Sequence, residues 1–232
     1  MEERAADVDI AVIGAMFGDR ARVAMLTGML DRPGSPAGDL AKHAGITPST
    51  ASGHLQKLIQ TGLATSESSG RLRLYRLAST EVAEAIEALG VLAPAIPVRS
   101  LRQSRTAEAL REARSCYDHL AGRLGVTLHD ELLRQRMIRR ASARDYELTK
   151  KGETLCDRFG IEVDSMHGSR RQFARACLDW SHRSPHLAGA LGAALLTQML
   201  DRDWLTRSRE NRSLRTTPAG ERGLAKWFRV RV

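Results

Sequence analysis

The chain has 232 residues, of which 42% are hydrophobic and 4% aromatic, so Leu, Ala and Val must form most of its core. This composition favours a mainly α fold over a β-sandwich. The 36 Lys and Arg residues exceed the 27 Asp and Glu residues, and the resulting net charge of +9 suits a polyanionic partner. No apolar run is long enough to span a bilayer and the charged N-terminus does not resemble a signal peptide, which predicts a cytoplasmic protein without a membrane partner.

The first predicted elements are two amphipathic helices that meet near Gly18 and Asp19. Their apolar residues recur at helical spacing and are expected to complete a three-helix core. These residues are Ile10, Ile13, Met16 and Phe17 in the first helix, and Val23, Leu26 and Leu30 in the second.

Residues 39–77 then read as a short helix, a tight turn, a second helix and a basic hairpin. Gly45 permits the turn, and Thr47 followed by Pro48 is typical of a helix N-cap and the first helical residue. The second helix has an apolar face for the core and a polar face whose donors and acceptors can reach bases and phosphates in a major groove. The candidate DNA-binding residues of this segment are Thr47, Ser49, Thr50, Ser52, His54, Gln56 and Lys57.

The basic hairpin is interpreted as the wing of a winged helix-turn-helix. Its turn is predicted at Ser69 and Gly70. Arg71 and Arg73 are expected to bind the DNA backbone. Three leucines are expected to point inward, namely Leu72, Leu74 and Leu77.

A further helix is predicted from Thr80 to Leu92, and the proline-containing segment at 94–97 ends it. Its apolar stripe consists of Val82, Ala83, Ile86 and Leu89. Burying this stripe against a second copy would give a homodimer whose two reading helices reach successive major grooves. The alternative is that the stripe packs on its own domain.

Three segments within the first 92 residues carry a family pattern, namely FGDRARVAMLTGML, DLAKHAGITPSTASGHLQKLIQTGLATS and RLRLYRLAS. In these segments the chain resembles the ArsR family of bacterial repressors. The resemblance implies a homodimer that binds a double-stranded DNA operator and is released by an inducer. Many relatives bind metal through cysteines before the reading helix, or through Asp and His after the wing. Here SPAGDLAKHAG has no cysteine and STEVAEAIEALG has no histidine, so both of those metal sites are absent.

The remaining sequence predicts a connecting helix from about Leu101 to Leu124 and a duplicated region. The segments CYDHLAGRLG and CLDWSHRSPHLAGALG, which begin at Cys116 and Cys177, match apart from an insert in the second. Each is followed by an apolar helix, a basic hairpin and another helix, which predicts two degenerate winged-helix-like repeats. The predicted domains are a DNA-binding domain with a dimerisation helix at 1–93, a linker and connecting helix at 94–112, and an effector or oligomerisation domain at 113–232.

The duplication pairs Cys116, Asp118 and His119 with Cys177, Asp179 and His186, which together offer thiolate, carboxylate and imidazole groups. If the copies pack with twofold symmetry, these side chains converge as ligands for zinc, nickel or haem. Two alternatives remain open: buried cysteines and histidines that only pack, or an organic effector in a pocket that also includes Leu187. The candidate effector-binding residues are Cys116, Tyr117, His119, Cys177, Trp180, His182 and His186.

Together these patterns favour a ligand-responsive DNA-binding repressor. The alternative is an architectural winged-helix protein that binds DNA without an effector. An enzyme is not expected, because the sequence contains no nucleophile elbow, phosphate loop or HExxH motif.

Overall fold

The computed structural model describes residues 7–32, 34–167 and 171–232. The chain divides into two compact units, Met1–Ala83 and Glu84–Val232. This division falls inside the helix that follows the wing, whereas the sequence places its first boundary at 93. The domain boundaries at 93 and 112 therefore remain predictions.

The first unit has the element order of a winged helix-turn-helix. Its elements are α1 (Ile10–Phe17), α2 (Arg20–Asp31), β1 (Ser35–Pro36), α3 (Ala37–Ala44), α4 (Pro48–Gln60), β2 (Ala64–Ser69) and β3 (Leu72–Leu77). The strands form one antiparallel sheet in the order β1-β3-β2. This order confirms the fold predicted for the N-terminal part.

Local signals in the sequence explain where α3 ends and α4 begins. Gly45 ends α3 with a φ of 67°, a left-handed conformation that glycine adopts without strain. The Thr47 hydroxyl accepts a hydrogen bond from the backbone N–H of Thr50, and Pro48 occupies the first helical position. The core behind these helices consists of buried apolar residues on α2, α3, α4 and β3, including Met25, Leu26, Met29, Leu40, Leu55, Leu58 and Leu77.

The first helix contributes less to this core than its sequence suggests. None of the residues of α1 is buried, and Ile10 is 74% exposed. The prediction that α1 completes the core is therefore wrong for Ile10, while Ile13, Met16 and Phe17 are only partly buried.

The wing differs from its predicted register. Ser69 pairs with Leu72, so the two-residue turn consists of Gly70 and Arg71. Side chains alternate between the faces of a strand, so Leu72 cannot share a face with Leu77. The buried residues of β3 are Tyr75 and Leu77, and Leu72 is 56% exposed. The prediction that Leu72 and Leu74 point inward with Leu77 was therefore wrong.

The second unit begins within α5 (Thr80–Leu92), which crosses the division between the units. Its next elements are α6 (Leu101–Glu112), β4 (Arg114–Cys116), β5 (His119–Ala121), α7 (Gly122–Arg134), β6 (Ile138–Arg140), β7 (Tyr146–Leu148) and α8 (Lys150–Phe159). They are followed by α9 (Val163–His167), β8 (Arg175–Leu178), β9 (Pro185–Ala188), α10 (Gly189–Asp201), β10 (Leu205–Arg207), β11 (Leu214–Thr216) and α11 (Pro218–Phe228).

The predicted connecting helix from Leu101 to Leu124 is wrong. Helix α6 ends at Glu112, and Ala113 has the extended φ of −153°. The hairpin β4–β5 follows, in which Cys116 pairs with His119 across a tight turn that places Tyr117 at a φ of 58°. Asp118 is a common turn residue, but no Gly or Pro accompanies it and Tyr117 is unusual at a positive φ, so the sequence signal for this turn is weak.

One apolar core joins the elements of the second unit. The Phe159 ring on α8 lies 5.3 Å from that of Trp204, 5.2 Å from that of Trp227 and 5.3 Å from that of Phe228. The elements before and after α9 therefore pack into a single body. Among the described residues, every helix is too short or too polar to cross a bilayer.

Candidate DNA-reading helix and buried cysteine–histidine cluster

Helix α4 carries an exposed polar face opposite its buried residues Ala51, Leu55 and Leu58. Near its start, the Thr47 hydroxyl lies 3.0 Å from that of Ser49 and 2.9 Å from that of Thr50. The predicted reading residues that are exposed are Thr47, Ser49, Thr50, Ser52, Gln56 and Lys57. These side chains can exchange their water contacts for groups on a nucleic acid.

His54 is placed differently from the other predicted reading residues. Its side chain is only 18% exposed, and its Nδ1 lies 4.0 Å from Oδ1 of Asp19, the N-cap of α2. The contact orients α4 against α2 and directs one side of the imidazole towards the protein.

The wing presents two arginines in different settings. Arg71 lies exposed in the turn, and Arg73 donates a hydrogen bond of 2.8 Å to the Ser66 hydroxyl while its guanidinium lies 5.9 Å from the Tyr75 ring centre. Arg76 is paired with Glu67. The charge that remains for a polyanion is therefore concentrated at Arg71 and Arg73.

A cluster of two cysteines and two histidines lies inside the second unit. The ligand atoms of Cys116, His119, Cys177 and His186 all lie within 4.8 Å of one another, and all four residues are buried. The two sulfurs are 3.9 Å apart, and the two Nε2 atoms are 3.2 Å apart. We call these four residues the cysteine–histidine cluster.

Two hairpins supply the cluster in the same manner. Cys116 pairs with His119 across β4–β5, and Cys177 pairs with His186 across β8–β9. The two cysteines form a small core with Ala121 and Ala188. The small alanine side chains allow the two hairpins to pack closely.

Each histidine of the cluster has an aspartate beside its Nδ1. Oδ1 of Asp118 lies 3.3 Å from Nδ1 of His119, and Asp118 also accepts hydrogen bonds of 2.6 and 2.9 Å from Arg171. Oδ2 of Asp179 lies 3.7 Å from Nδ1 of His186. The two carboxylates can therefore hold both imidazoles with Nε2 pointing into the cluster.

Asp179 also belongs to a buried ionic network. It accepts hydrogen bonds of 2.9 Å from Arg114 and 2.7 Å from the backbone N–H of Gly122. Arg114 is fully buried and also contacts Glu87 of α5 at 3.4 Å, and Glu87 accepts a further bond from Arg212. The network thus connects the cluster to α5.

The charges of the cluster follow from these contacts. Burial opposes a charge on His119, but Cys116 and Asp118 outweigh this and raise its pKa to about 9. Burial and the neighbouring His119 hold the pKa of His186 well below its ordinary value. The hydrogen bond with Cys177, together with burial, raises the pKa of the Cys116 thiol well above its ordinary value. His119 is therefore the more basic of the two imidazoles, and it can donate to Nε2 of His186.

The compact cluster limits what it can hold. Four ligand atoms within 4.8 Å of one another can surround a single ion. They leave no space between them for a porphyrin, which argues against the haem that was considered from the sequence.

Comparison with known proteins places the N-terminal part in a family. The family model described as "Bacterial regulatory protein, arsR family" matches residues 19–66. An uncharacterized HTH-type transcriptional regulator of Bacillus subtilis, YdfF, is 41% identical over 224 residues, which are 97% of this chain and 99% of that protein. The chain belongs to the ArsR family. It is therefore a DNA-binding transcriptional regulator.

Two similar solved structures each cover less than half of this chain. The homodimeric winged helix-turn-helix domain of Mb0332 from Mycobacterium bovis is 25% identical and covers 38% of this chain and 88% of its own, with a TM-score of 0.33. Reduced HlyU from Vibrio cholerae is 28% identical and covers 37% of this chain and 90% of its own, with a TM-score of 0.34.

The other predicted effector residues of this ArsR-family protein lie outside the cluster. Tyr117 is half-buried in the β4–β5 turn, and Trp180 stacks on the Arg114 guanidinium at 4.7 Å. His182 lies 3.0 Å from the Ser181 hydroxyl and lines a surface cavity of about 370 Å³ beside α6. Another cavity of about 420 Å³ lies near Lys151 and Trp227. Neither of these two cavities is lined by His119, His186 or Leu187, which were expected to line an organic effector pocket.

Sequence reasoning missed the residues that support the cluster in this ArsR-family chain. Arg114 and Glu87 look like solvated surface charges in the sequence, yet both are buried. Asp118 and Asp179 were expected to be carboxylate ligands, but they lie beside Nδ1 of His119 and His186, and the four clustered ligand atoms belong to the cysteines and histidines.

Proposed function

We propose that the protein is a homodimeric repressor, and that an effector held in residues 84–232 releases it from a double-stranded DNA operator. The observation that carries this proposal is the exposed polar face of α4 on the same compact unit as an arginine-bearing wing. Such a protein acts where the chromosome lies, which places it in the bacterial cytoplasm.

The proposed contacts divide into base reading and backbone binding. Ser49, Thr50, Ser52 and Gln56 are exposed on α4 and have the donors and acceptors that base edges recognise. Backbone binding falls to the hydroxyl of Thr47 and to the cations Lys57, Arg71 and Arg73. His54 orients α4 through Asp19 in this proposal.

Exposed apolar side chains support the homodimer. Ile10 and Val12 of α1 are 74% and 48% exposed, and Leu89 and Leu92 of α5 are 44% and 81% exposed. A second copy that covers these residues would remove apolar surface from water. Other faces of α5 are already occupied, because Glu87 is buried and Gly90 lies against Trp180.

We also propose that the second unit arose from two winged-helix-like repeats. Reciprocal contacts support this. The backbone N–H of Ser115 bonds to the carbonyl of Arg212 at 3.0 Å, and that of Ala176 bonds to the carbonyl of Arg144 at 2.7 Å, so each first hairpin lies beside the second hairpin of the other repeat. Gly125 of α7 likewise approaches His186, and Gly192 of α10 approaches His119.

An effector signal has a physical route towards the reading unit. Asp179 contacts His186 of the cluster and Arg114, and Arg114 contacts Glu87 of α5. Helix α5 begins directly after the wing, at Thr80. A change at the cluster can therefore alter the position of α5 and the spacing of two reading helices in a dimer.

Selection of bound fragments from the source genome tests this function. The full-length protein should recover one recurrent palindromic sequence, because a homodimer with twofold symmetry reads two half-sites. Diffuse recovery without a shared sequence would contradict the repressor and favour the architectural alternative.

A further inference from the structure

We propose that Cys116, His119, Cys177 and His186 bind one zinc ion, and that this ion is the effector of the repressor. The first part stands on the cysteine–histidine cluster alone, and the second part rests on the proposed function. The site differs from the two metal sites of ArsR-family relatives described above, because it lies in the second unit and uses neither α3 nor α5.

Two distances in the cluster, sulfur to sulfur and nitrogen to nitrogen, fit a tetrahedral ion. Bonds of about 2.3 Å to sulfur and 2.0 Å to nitrogen place tetrahedral sulfur pairs about 3.8 Å apart and nitrogen pairs about 3.3 Å apart. The observed distances are 3.9 Å between the sulfurs and 3.2 Å between the Nε2 atoms. A planar arrangement would need sulfurs about 4.6 Å apart when trans or about 3.3 Å apart when cis. Tetrahedral geometry with two sulfur and two nitrogen ligands is the arrangement that zinc prefers, whereas nickel favours planar sites.

The surroundings of the histidines fit the same ion. Zinc-binding histidines commonly donate their second ring N–H to a carboxylate, which fixes the orientation of the ring. Asp118 lies 3.3 Å from Nδ1 of His119, and Asp179 lies 3.7 Å from Nδ1 of His186. Within the described residues, Nδ1 of His186 has no hydrogen-bond partner, and a ring that rotated slightly to bind zinc would approach Asp179.

Packing alone explains the cluster less well. Two imidazoles and two thiols are buried together, where the two sulfurs contact each other and the two Nε2 atoms contact each other. The thiols are weak hydrogen-bonding groups, so their contact offsets little of the cost of burial. A disulfide between Cys116 and Cys177 would leave the two Nε2 atoms facing each other without using them. One ion satisfies all four ligand atoms at once.

Four protein ligands would fill the coordination shell of the zinc ion, and this favours a structural role over a catalytic one. Four protein ligands leave no open position for a substrate, so the ion acts through the conformation that it holds. It fixes β4–β5 against β8–β9, and it draws on Asp179, which also holds Arg114 and through it Glu87 of α5. Zinc occupancy therefore changes the contacts that position α5.

Metal analysis of the full-length protein tests the first part. After metal removal under reducing conditions, wild-type protein should bind one zinc ion per chain, and Cys116→Ser/Cys177→Ser should bind far less. The matched control is Cys156→Ser, because Cys156 is also buried but lies on α8 outside the cluster. It should keep full binding. Wild-type protein without zinc, or stoichiometric zinc in the double variant, would overturn the site.

A spectroscopic measurement covers the case in which the double variant fails to fold. Wild-type protein loaded with Co²⁺ should show the strong visible bands of a tetrahedral ion and the charge-transfer band of two thiolates. Weak octahedral bands without a thiolate band would overturn the site. Asp118→Asn keeps all four ligands and should lower zinc affinity about 10–100-fold by releasing the His119 ring.

Operator binding tests the second part. Zinc should weaken the affinity of wild-type protein for its selected operator by about 5–150-fold, the usual range of coupling between two sites, and Cys156→Ser should respond in the same way. Zinc binding that leaves operator affinity unchanged would overturn the effector role. A protein that binds zinc but selects no operator in either state would instead contradict the proposed function, because metal analysis needs no DNA.

Discussion

Arg114 and Asp179 form an ion pair of 2.9 Å in which both side chains are completely inaccessible to solvent. Burying two charges is costly, and the pair is tolerated because Glu87, Ser181 and the N–H of Gly122 supply further hydrogen bonds. The pair lies between the cysteine–histidine cluster and α5, because Asp179 contacts His186 and Arg114 contacts Glu87.

Truncation of Arg114 should destabilise the protein strongly. Arg114→Ala leaves Asp179 and Glu87 buried without their cation, and we expect a loss of about 3–5 kcal/mol in the free energy of unfolding. Chemical denaturation measures this loss. The matched control is Arg102→Ala, whose exposed pair with Glu210 should contribute about 1 kcal/mol or less. Equal effects of the two substitutions would show that the buried network is not structural.

Removing the wing arginines should weaken DNA binding without changing its sequence preference. In Arg71→Ala/Arg73→Ala each lost phosphate contact should lower the slope of log affinity against log salt by about 0.9. Titration of operator and random DNA at several salt concentrations measures both slopes. The control is Arg139→Ala/Arg140→Ala in the β6–β7 hairpin. If the control flattens the slope and the wing variant does not, the wing assignment is wrong.

A reading residue of α4 should act on single base positions. Gln56→Ala should weaken the binding free energy for the operator by about 1–3 kcal/mol. The loss should be much smaller on operators changed at the base pair that Gln56 contacts. Binding to a set of operators with single substitutions shows this pattern. A uniform loss across the set would assign Gln56 to the backbone instead.

Substitution by alanine should have opposite effects on stability at two glycines that both lie inside helices. A Cβ on Gly125 of α7 would lie 2.5 Å from the carbonyl oxygen of Leu120, so Gly125→Ala should destabilise the protein. A Cβ on Gly53 of α4 would meet nothing within 4 Å, so Gly53→Ala should stabilise α4 by about 1 kcal/mol. Thermal unfolding compares the two variants. Tolerance of alanine at Gly125 would contradict the close contact between α7 and β5.

Stability should fall in acid partly through His129. Burial keeps the pKa of His129 below its ordinary value, and its Nε2 lies 2.8 Å from the Tyr146 hydroxyl. In the unfolded chain, His129 therefore takes up a proton as the pH falls through about 6.5, whereas in the folded protein it stays neutral at that pH. The contribution of neutral His129 to stability is full above this pH and is lost as the pH falls below it. His129→Gln should lose less stability between neutral pH and mildly acidic pH than wild-type protein does. Parallel pH profiles of the free energy of unfolding would exclude this contribution.

The reading unit could be predicted in detail because its signals are local. Gly45 and the pair Thr47 and Pro48 fix where α3 ends and α4 begins, and each acts within a few residues of its own position. The register of the wing was missed because Leu72 and Leu77 are both apolar, and only strand pairing reveals that they lie on opposite faces. The exposure of Ile10 likewise depends on what packs on α1.

The candidate site in the second unit could be predicted only in part. The repeated cysteines and histidines led to Cys116, His119, Cys177 and His186 by number, and their role as ligands stays a prediction. The hairpin that presents Cys116 and His119 was missed because its turn contains Tyr117 and no glycine. Arg114 was missed because its burial arises from contacts with residues distant in sequence, at Glu87 and Asp179.

The affinity of the full-length protein for zinc, measured with and without its operator, tests the coupling between the cluster and the reading helix most directly. Thermodynamic linkage requires that operator DNA weaken zinc binding by the same factor by which zinc weakens operator binding. We expect such a loss in wild-type protein and in Cys156→Ser. Equal zinc affinity in the free and operator-bound states would contradict the coupling.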